Sequence, residues 1–140
     1  MAHRVLSHTA DIGIEVTAPS LDALFDELLS ATFQLTSPTD ADADPAAVTT
    51  RSVEVSAETL EDLVVDTLSE FLFIAETEDR HFCGFRSQVD GDRLVARVEG
   101  DARPLRRDQA SGAAIKAVTY HELVVERRGD EWFARVYFDV

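Results

Sequence analysis

A chain of 140 residues, 45% of them hydrophobic, is the length of one ordinary domain with enough apolar side chains for one packed core, which excludes a multidomain machine. Its 27 acidic residues against 13 basic ones leave a formal charge of −14. That charge argues against a general polyanion binder and against stable direct nucleic-acid binding, because phosphate affinity comes from clustered Lys and Arg.

In chain order, Ile12-Gly13-Ile14-Glu15-Val16-Thr17 alternates apolar with polar or small residues, predicting a strand whose Ile12, Ile14 and Val16 face the core. Ser20 follows Pro19 as the cap of a helix whose Leu21, Leu24, Phe25, Leu28, Thr32 and Leu35 fall on one face, ending before Pro38. The segment 37–45 is small, acidic and proline-punctuated, and reads as a solvated loop. Its Asp40, Asp42 and Asp44 have a calcium-loop spacing but lack the glycine and the closing Glu, so an EF-hand is not expected. Val53-Glu54-Val55 predicts a second strand. A helix from about Glu58 to Ala75 follows, capped from Thr59 or Ser56, with Leu60, Leu63, Val64, Leu68, Phe71 and Leu72 inward and Glu61, Asp62, Asp66, Glu70 and Glu76 outward.

From Phe82 the pattern is mostly strand. Phe85, Ser87 and Val89 run to a turn at Asp90-Gly91, and Leu94, Ala96 and Val98 return from it. Residues 101–112, with Pro104 and three Arg, read as a long loop, and two further strands span about Ile115–Glu126 and Trp132–Val140. The expected fold is a single α+β domain over residues 1–140, with two helices on one face of a mainly antiparallel sheet in the order β-α-β-α-β-β-β-β.

The basic residues are twelve Arg and a single Lys, Lys116. An acid-rich, Lys-poor makeup fits a halophilic protein whose self-repulsion is screened by concentrated counterions, although a GC-rich genome also trades Lys for Arg. Cys83 is the only cysteine, so no intrachain disulfide or cysteine zinc knuckle is expected, as in a reducing interior, and beside Phe82 and Gly84 it is expected to be buried. No apolar run has the length of a signal or membrane-spanning segment, so the expectation is a cytoplasmic protein. There is no Gly-x-Gly-x-x-Gly, Walker, His-Glu-x-x-His or Gly-x-Ser-x-Gly motif, which leaves nucleotide, zincin and hydrolase-elbow readings without sequence support.

The polar residues at strand ends remain. Asp11 directly precedes the inward Ile12, so alternation turns its carboxylate away from the helices. Val136, Phe138 and Val140 share one phase, leaving Tyr137 and Asp139 on the other face. If the first and last predicted strands are neighbours, Asp11, Asp139 and the α-carboxylate of Val140 form an oxygen-only site suited to Ca²⁺ or Mg²⁺. The bland alternative is a turn-capping Asp11 and a solvated Asp139. His8, Lys116, Tyr120 and His121 are further candidates as acid, base or donor at a functional surface. Arg103, Arg106-Arg107 and Arg127-Arg128 could meet RNA phosphate or an acidic protein, or be ordinary loop charges.

His8-Thr9-Ala10-Asp11-Ile12, the helix blocks Leu60-Glu61-Asp62-Leu63-Val64-Val65 and Phe71-Leu72-Phe73, Ile115-Lys116-Ala117-Val118-Thr119-Tyr120-His121 and the ending Val136-Tyr137-Phe138-Asp139-Val140 together resemble archease, over essentially the whole chain. The resemblance implies a small accessory protein of the GTP-dependent tRNA-splicing ligase of the RtcB type. It implies faster guanylylation of the ligase's active-site histidine and multiple turnover in exon joining, with no catalysis of its own. It also implies a divalent metal, usually calcium, on Asp11, Asp139 and the Val140 carboxylate. The chain departs from the pattern in its acidic surface, in Tyr137 and in Ala113-Ala114. The rival readings are a metal-dependent phosphoester hydrolase using Asp11, Asp139 and His121, and a general chaperone-like interaction module.

Overall fold

The computed structural model describes residues 2–7, 11–36, 47–105 and 114–140. The elements are β1 (Ala2–Ser7), β2 (Asp11–Ala18), α1 (Leu21–Leu35), β3 (Thr49–Ser56), α2 (Leu60–Thr77), β4 (Arg80–Asp90), β5 (Val95–Pro104), β6 (Ala117–Arg128) and β7 (Glu131–Asp139). The α+β class, the two helices and the antiparallel pairing agree with the sequence pattern. The structure adds β1 and divides the strands between two sheets, of order β1-β2-β7-β6 and β3-β5-β4.

Both helices start where the sequence places their caps. Ser20 Oγ accepts from the Ala23 N–H at 3.1 Å and Thr59 Oγ1 from the Asp62 N–H at 3.0 Å, each satisfying a donor that has no partner within the helix. Each helix touches strands of both sheets. α1 and α2 therefore bury wide faces, including Leu24, Phe25 and Leu28 on the first and Leu63, Leu68 and Phe71 on the second. Phe71 and Phe82 meet edge to face at 4.9 Å in the centre of this core. Full burial of each such ring stabilises the fold by about 1.5–3 kcal/mol.

In the first sheet, Ile14, Val16, Val136 and Phe138 point into that core with no exposed surface. The β6–β7 hairpin closes on two residues, since Arg128 pairs with Glu131, and Gly129 at φ 63° supplies the left-handed backbone the turn requires. In the second sheet, Ala96, Val98, Gly100 and Ala102 continue one buried face past the predicted boundary. Residues 101–104 are thus strand rather than loop. The apolar phase at Ala102 outweighs the turn signal of Pro104, which sits at the strand's last position. The turn after Asp90 runs over four residues, with Asp90 Oδ1 accepting from the main-chain N–H groups of Asp92 and Arg93. The predicted acidic loop at 37–45 falls outside the described residues, as do Arg106 and Arg107.

Candidate metal centre and partner face

β7 lies between β2 and β6, and its last residue joins both neighbours at one corner of the sheet. Asp139 is the direct register partner of Asp11 on one side and of Ala117 on the other. The Lys116 main-chain N–H donates to the Asp139 carbonyl at 2.8 Å. Side chains of opposed antiparallel residues project from the same face with Cβ atoms about 5 Å apart. The two carboxylates that begin the second strand and end the last therefore share a corner, Asp11 half-buried and Asp139 exposed. Val140 follows directly and is 36% exposed, beyond the end of β7 rather than in the core with Val136 and Phe138.

The residues beside this corner hold its backbone close. Gly13 pairs with Tyr137, and a Cβ on Gly13 would lie 2.7 Å from the tyrosine ring. Tyr137 therefore packs flat across a position that only glycine leaves open, on the face carrying Asp11 and Asp139. Next to it, β6 departs from regular pairing. Thr119 faces Tyr137 but Val124 faces Arg135, so five positions on β6 span two on β7, and Glu122 takes a positive φ of 48°. Bulges of this kind re-aim side chains. Here the bulge turns Tyr120 toward α2, where its hydroxyl donates to Asp62 Oδ1 at 2.7 Å, and that bond raises the phenol to about 12. It turns His121 toward Tyr137, with ring centroids 5.6 Å apart.

Lys116, Tyr120 and His121 thus lie on or next to the strand that flanks Asp139. The structure joins Asp11 to Asp139 directly, whereas Tyr120 is held by α2. His8 lies outside the described residues. The bulge itself is not marked in the sequence, where Val118 to Glu126 reads as continuous strand.

Among the described residues no group of three or more His, Cys, Asp or Glu side chains converges on an ion position. A cation at the corner would accordingly rest on the Asp11 and Asp139 carboxylates, with its remaining oxygens from the main chain or water. In donor chemistry these groups fit a hard divalent cation, because opposed like charges on a strand pair repel without one and oxygen donors suit Ca²⁺ or Mg²⁺.

Other polar clusters are internally neutralised. A cleft of about 590 Å³ on the second sheet contains Arg86 and Arg97. Arg86 is engaged by Asp101 and Glu99, and Arg97 by Glu54. Arg127 donates to the Gly129 carbonyl, while Arg128 lies 3.7 Å over the Phe133 ring and pairs with Glu126. Cys83 is exposed rather than buried, because it occupies an irregularity between Phe82 and Gly84 in β4. Its thiol donates to the Asp101 carbonyl, and partial desolvation together with the Asp101 charge pushes it up, away from a reactive thiolate. A second cleft of about 450 Å³, beside Lys116, is lined by Phe33, Leu72, Leu105, Ile115 and His81. Burial holds the His81 imidazole below its ordinary value.

A model described as the Archease protein family (MTH1598/TM1083) matches residues 3–140. The chain belongs to the archease family. It is 30% identical to the archease of Methanosarcina acetivorans over 142 residues, covering 99% of this chain and 95% of that protein. It is 30% identical to the archease of Pyrococcus abyssi over 138 residues, covering 95% and 94%. A crystal structure from Thermotoga maritima, described as an archease and possible chaperone, superposes with a TM-score of 0.68 at 25% identity, covering 96% of this chain and 94% of that one. The solution structure of Methanobacterium thermoautotrophicum protein 1598 shares the fold, with a TM-score of 0.77 at 24% identity over 99% and 98% of the two chains. The described parts of the archease motifs thus lie at one sheet corner and on helix α2, which Tyr120 joins to it through Asp62. Among the described residues of this archease, no helix is long and apolar enough to cross a membrane.

Proposed function

We propose that this archease is a protein cofactor and not itself a catalyst. It activates a GTP-dependent tRNA-splicing ligase of the RtcB type by promoting guanylylation of the ligase's active-site histidine and its repeated turnover. Asp11, Asp139 and the Val140 carboxylate hold a divalent cation, Ca²⁺ in first place and Mg²⁺ in second. The observation that carries this reading is the register pairing of Asp11 with Asp139, which concentrates negative oxygens at one exposed corner. When bound, the cation supplies a hard positive charge of the kind that polyphosphate and carboxylate oxygens coordinate.

The chain's own residues position that corner. Tyr137 packed over Gly13 fixes the separation of β2 and β7, and the Lys116 N–H anchors the Asp139 main chain. Lys116 and His121 would complete the face presented to the ligase, with Tyr120 tying that face to α2 through Asp62. The description of the Thermotoga maritima relative as a possible chaperone supports the same kind of action, on another protein rather than on a small substrate.

The test is reconstitution with purified ligase, GTP and a divalent cation, following covalent guanylate on the ligase with and without this protein. The wild type is expected to accelerate it, while Asp11→Ala and Asp139→Ala keep their fold and give only the rate of the ligase alone. Full stimulation by both variants would overturn the reading. Turnover of a model phosphoester by the isolated protein with Mg²⁺, lost in His121→Ala, would mark an enzyme instead.

A further inference from the structure

β3 forms one margin of the second sheet: β5 pairs with it on one side, and among the described residues no strand covers the other. Its register with β5 is unbroken over all eight residues, as is that of the shorter marginal strand β1 with β2 over six, whereas the marginal strands β4 and β6 are both interrupted by irregularities. Its sequence, Thr-Thr-Arg-Ser-Val-Glu-Val-Ser, contains no proline and no lysine, two of the devices that blunt an open strand edge. Such an edge presents a row of main-chain donors and acceptors to any extended chain that reaches it.

A groove of about 520 Å³ follows that edge. It is lined by every residue from Arg51 to Ser56 and, on the opposite wall, by Asp66, Glu70 and Ile74 of α2. Lining by six consecutive residues means that the groove tracks the main chain and not one side-chain face. The strand's own charges are already matched, Arg51 by Glu78 and Glu54 by Arg97. Asp66 and Glu70 are therefore left to set the sign of the groove, with the buried Ile74 as its apolar floor.

We propose that this groove accepts an extended basic segment of a partner protein, which adds to β3 as a further strand and places Lys or Arg against Asp66 and Glu70. A second copy of the chain fits less well, since pairing β3 with itself would oppose two acidic walls on molecules that each carry a charge of −14. This surface is separate from the Asp11–Asp139 corner, and the proposal does not depend on the ligase reading.

A short capped peptide alternating Arg and Val serves as the probe, compared with a Glu-Val peptide and with an Arg-Val peptide N-methylated on alternate amides. Binding is followed by titration calorimetry and by amide hydrogen exchange of the full chain. The expected result is binding of the first peptide only, with exchange slowed at residues 51–56. Asp66→Asn combined with Glu70→Gln should weaken that binding roughly three- to thirtyfold, and Asp139→Asn should leave it unchanged. Equal binding of the N-methylated peptide would overturn the proposal, as would protection mapping elsewhere. Peptide-free dimerisation that protects residues 51–56 would overturn it in favour of self-association.

Discussion

The Gly13–Tyr137 contact is the narrowest constraint on the corner that carries Asp11 and Asp139. A methyl group on Gly13 would sit 2.7 Å from Cε1 and 2.9 Å from Cδ1 of the ring, so the tyrosine must move or the strands must part. Gly13→Ala is expected to lower stability by about 1–3 kcal/mol in urea unfolding, as overpacking does elsewhere. Because the displaced ring adjoins His121, it should also shift the His121 ring resonances. An unchanged midpoint and unchanged resonances would show that the strands yield without strain.

His81 belongs to the same scale but acts through protonation. Buried beside Phe33, it has a folded pKa below the ordinary 6.5, with burial as the cause. The unfolded chain then takes up the proton first as pH falls, so stability is unaffected well above 6.5 and is lost as pH falls below it, until the folded value is passed. Between about pH 7.5 and about pH 5.5 the wild type should lose more stability than His81→Gln, measured as urea midpoints of both proteins. Equal losses would place the pH dependence on other groups.

At the scale of elements, the helices and their caps were legible because capping and the helical apolar period are local properties. Ser20 and Thr59 do what their positions predict. Thr59→Ala should therefore cost about 1 kcal/mol, read from urea unfolding, and Thr59→Ser should restore most of it. The parity of Asp11 and Asp139 was equally legible, since strand alternation needs only neighbouring residues.

What escaped the sequence depends on pairing. β1 has no apolar alternation of its own and exists through its register with β2, Ala2 opposite Thr17 through Ser7 opposite Ile12. The β6 bulge leaves no composition signal, because it is defined by what Thr119 and Val124 meet on β7. The same holds for the irregularity that exposes Cys83, whose apolar neighbours suggested burial. The division into two sheets was hidden for a similar reason, as nothing within Val53-Glu54-Val55 specifies β5 rather than β2 as its partner.

Over the whole molecule, the fold joins a residue near the start of the chain to one near its end. Asp11 and Asp139 are direct register partners in a protein that already carries a charge of −14. A divalent cation that bound only the folded corner would stabilise the folded state, so binding and stability would be linked. Screening by monovalent salt lowers the general repulsion but leaves a directly coordinated ion far less affected. Site, charge and topology therefore converge on one measurable quantity. That measurement is calorimetric titration of Ca²⁺ into chelator-stripped protein, wild type beside Asp139→Asn. The account predicts saturable binding at one site in the wild type and none in the variant; identical isotherms for the two proteins would contradict it.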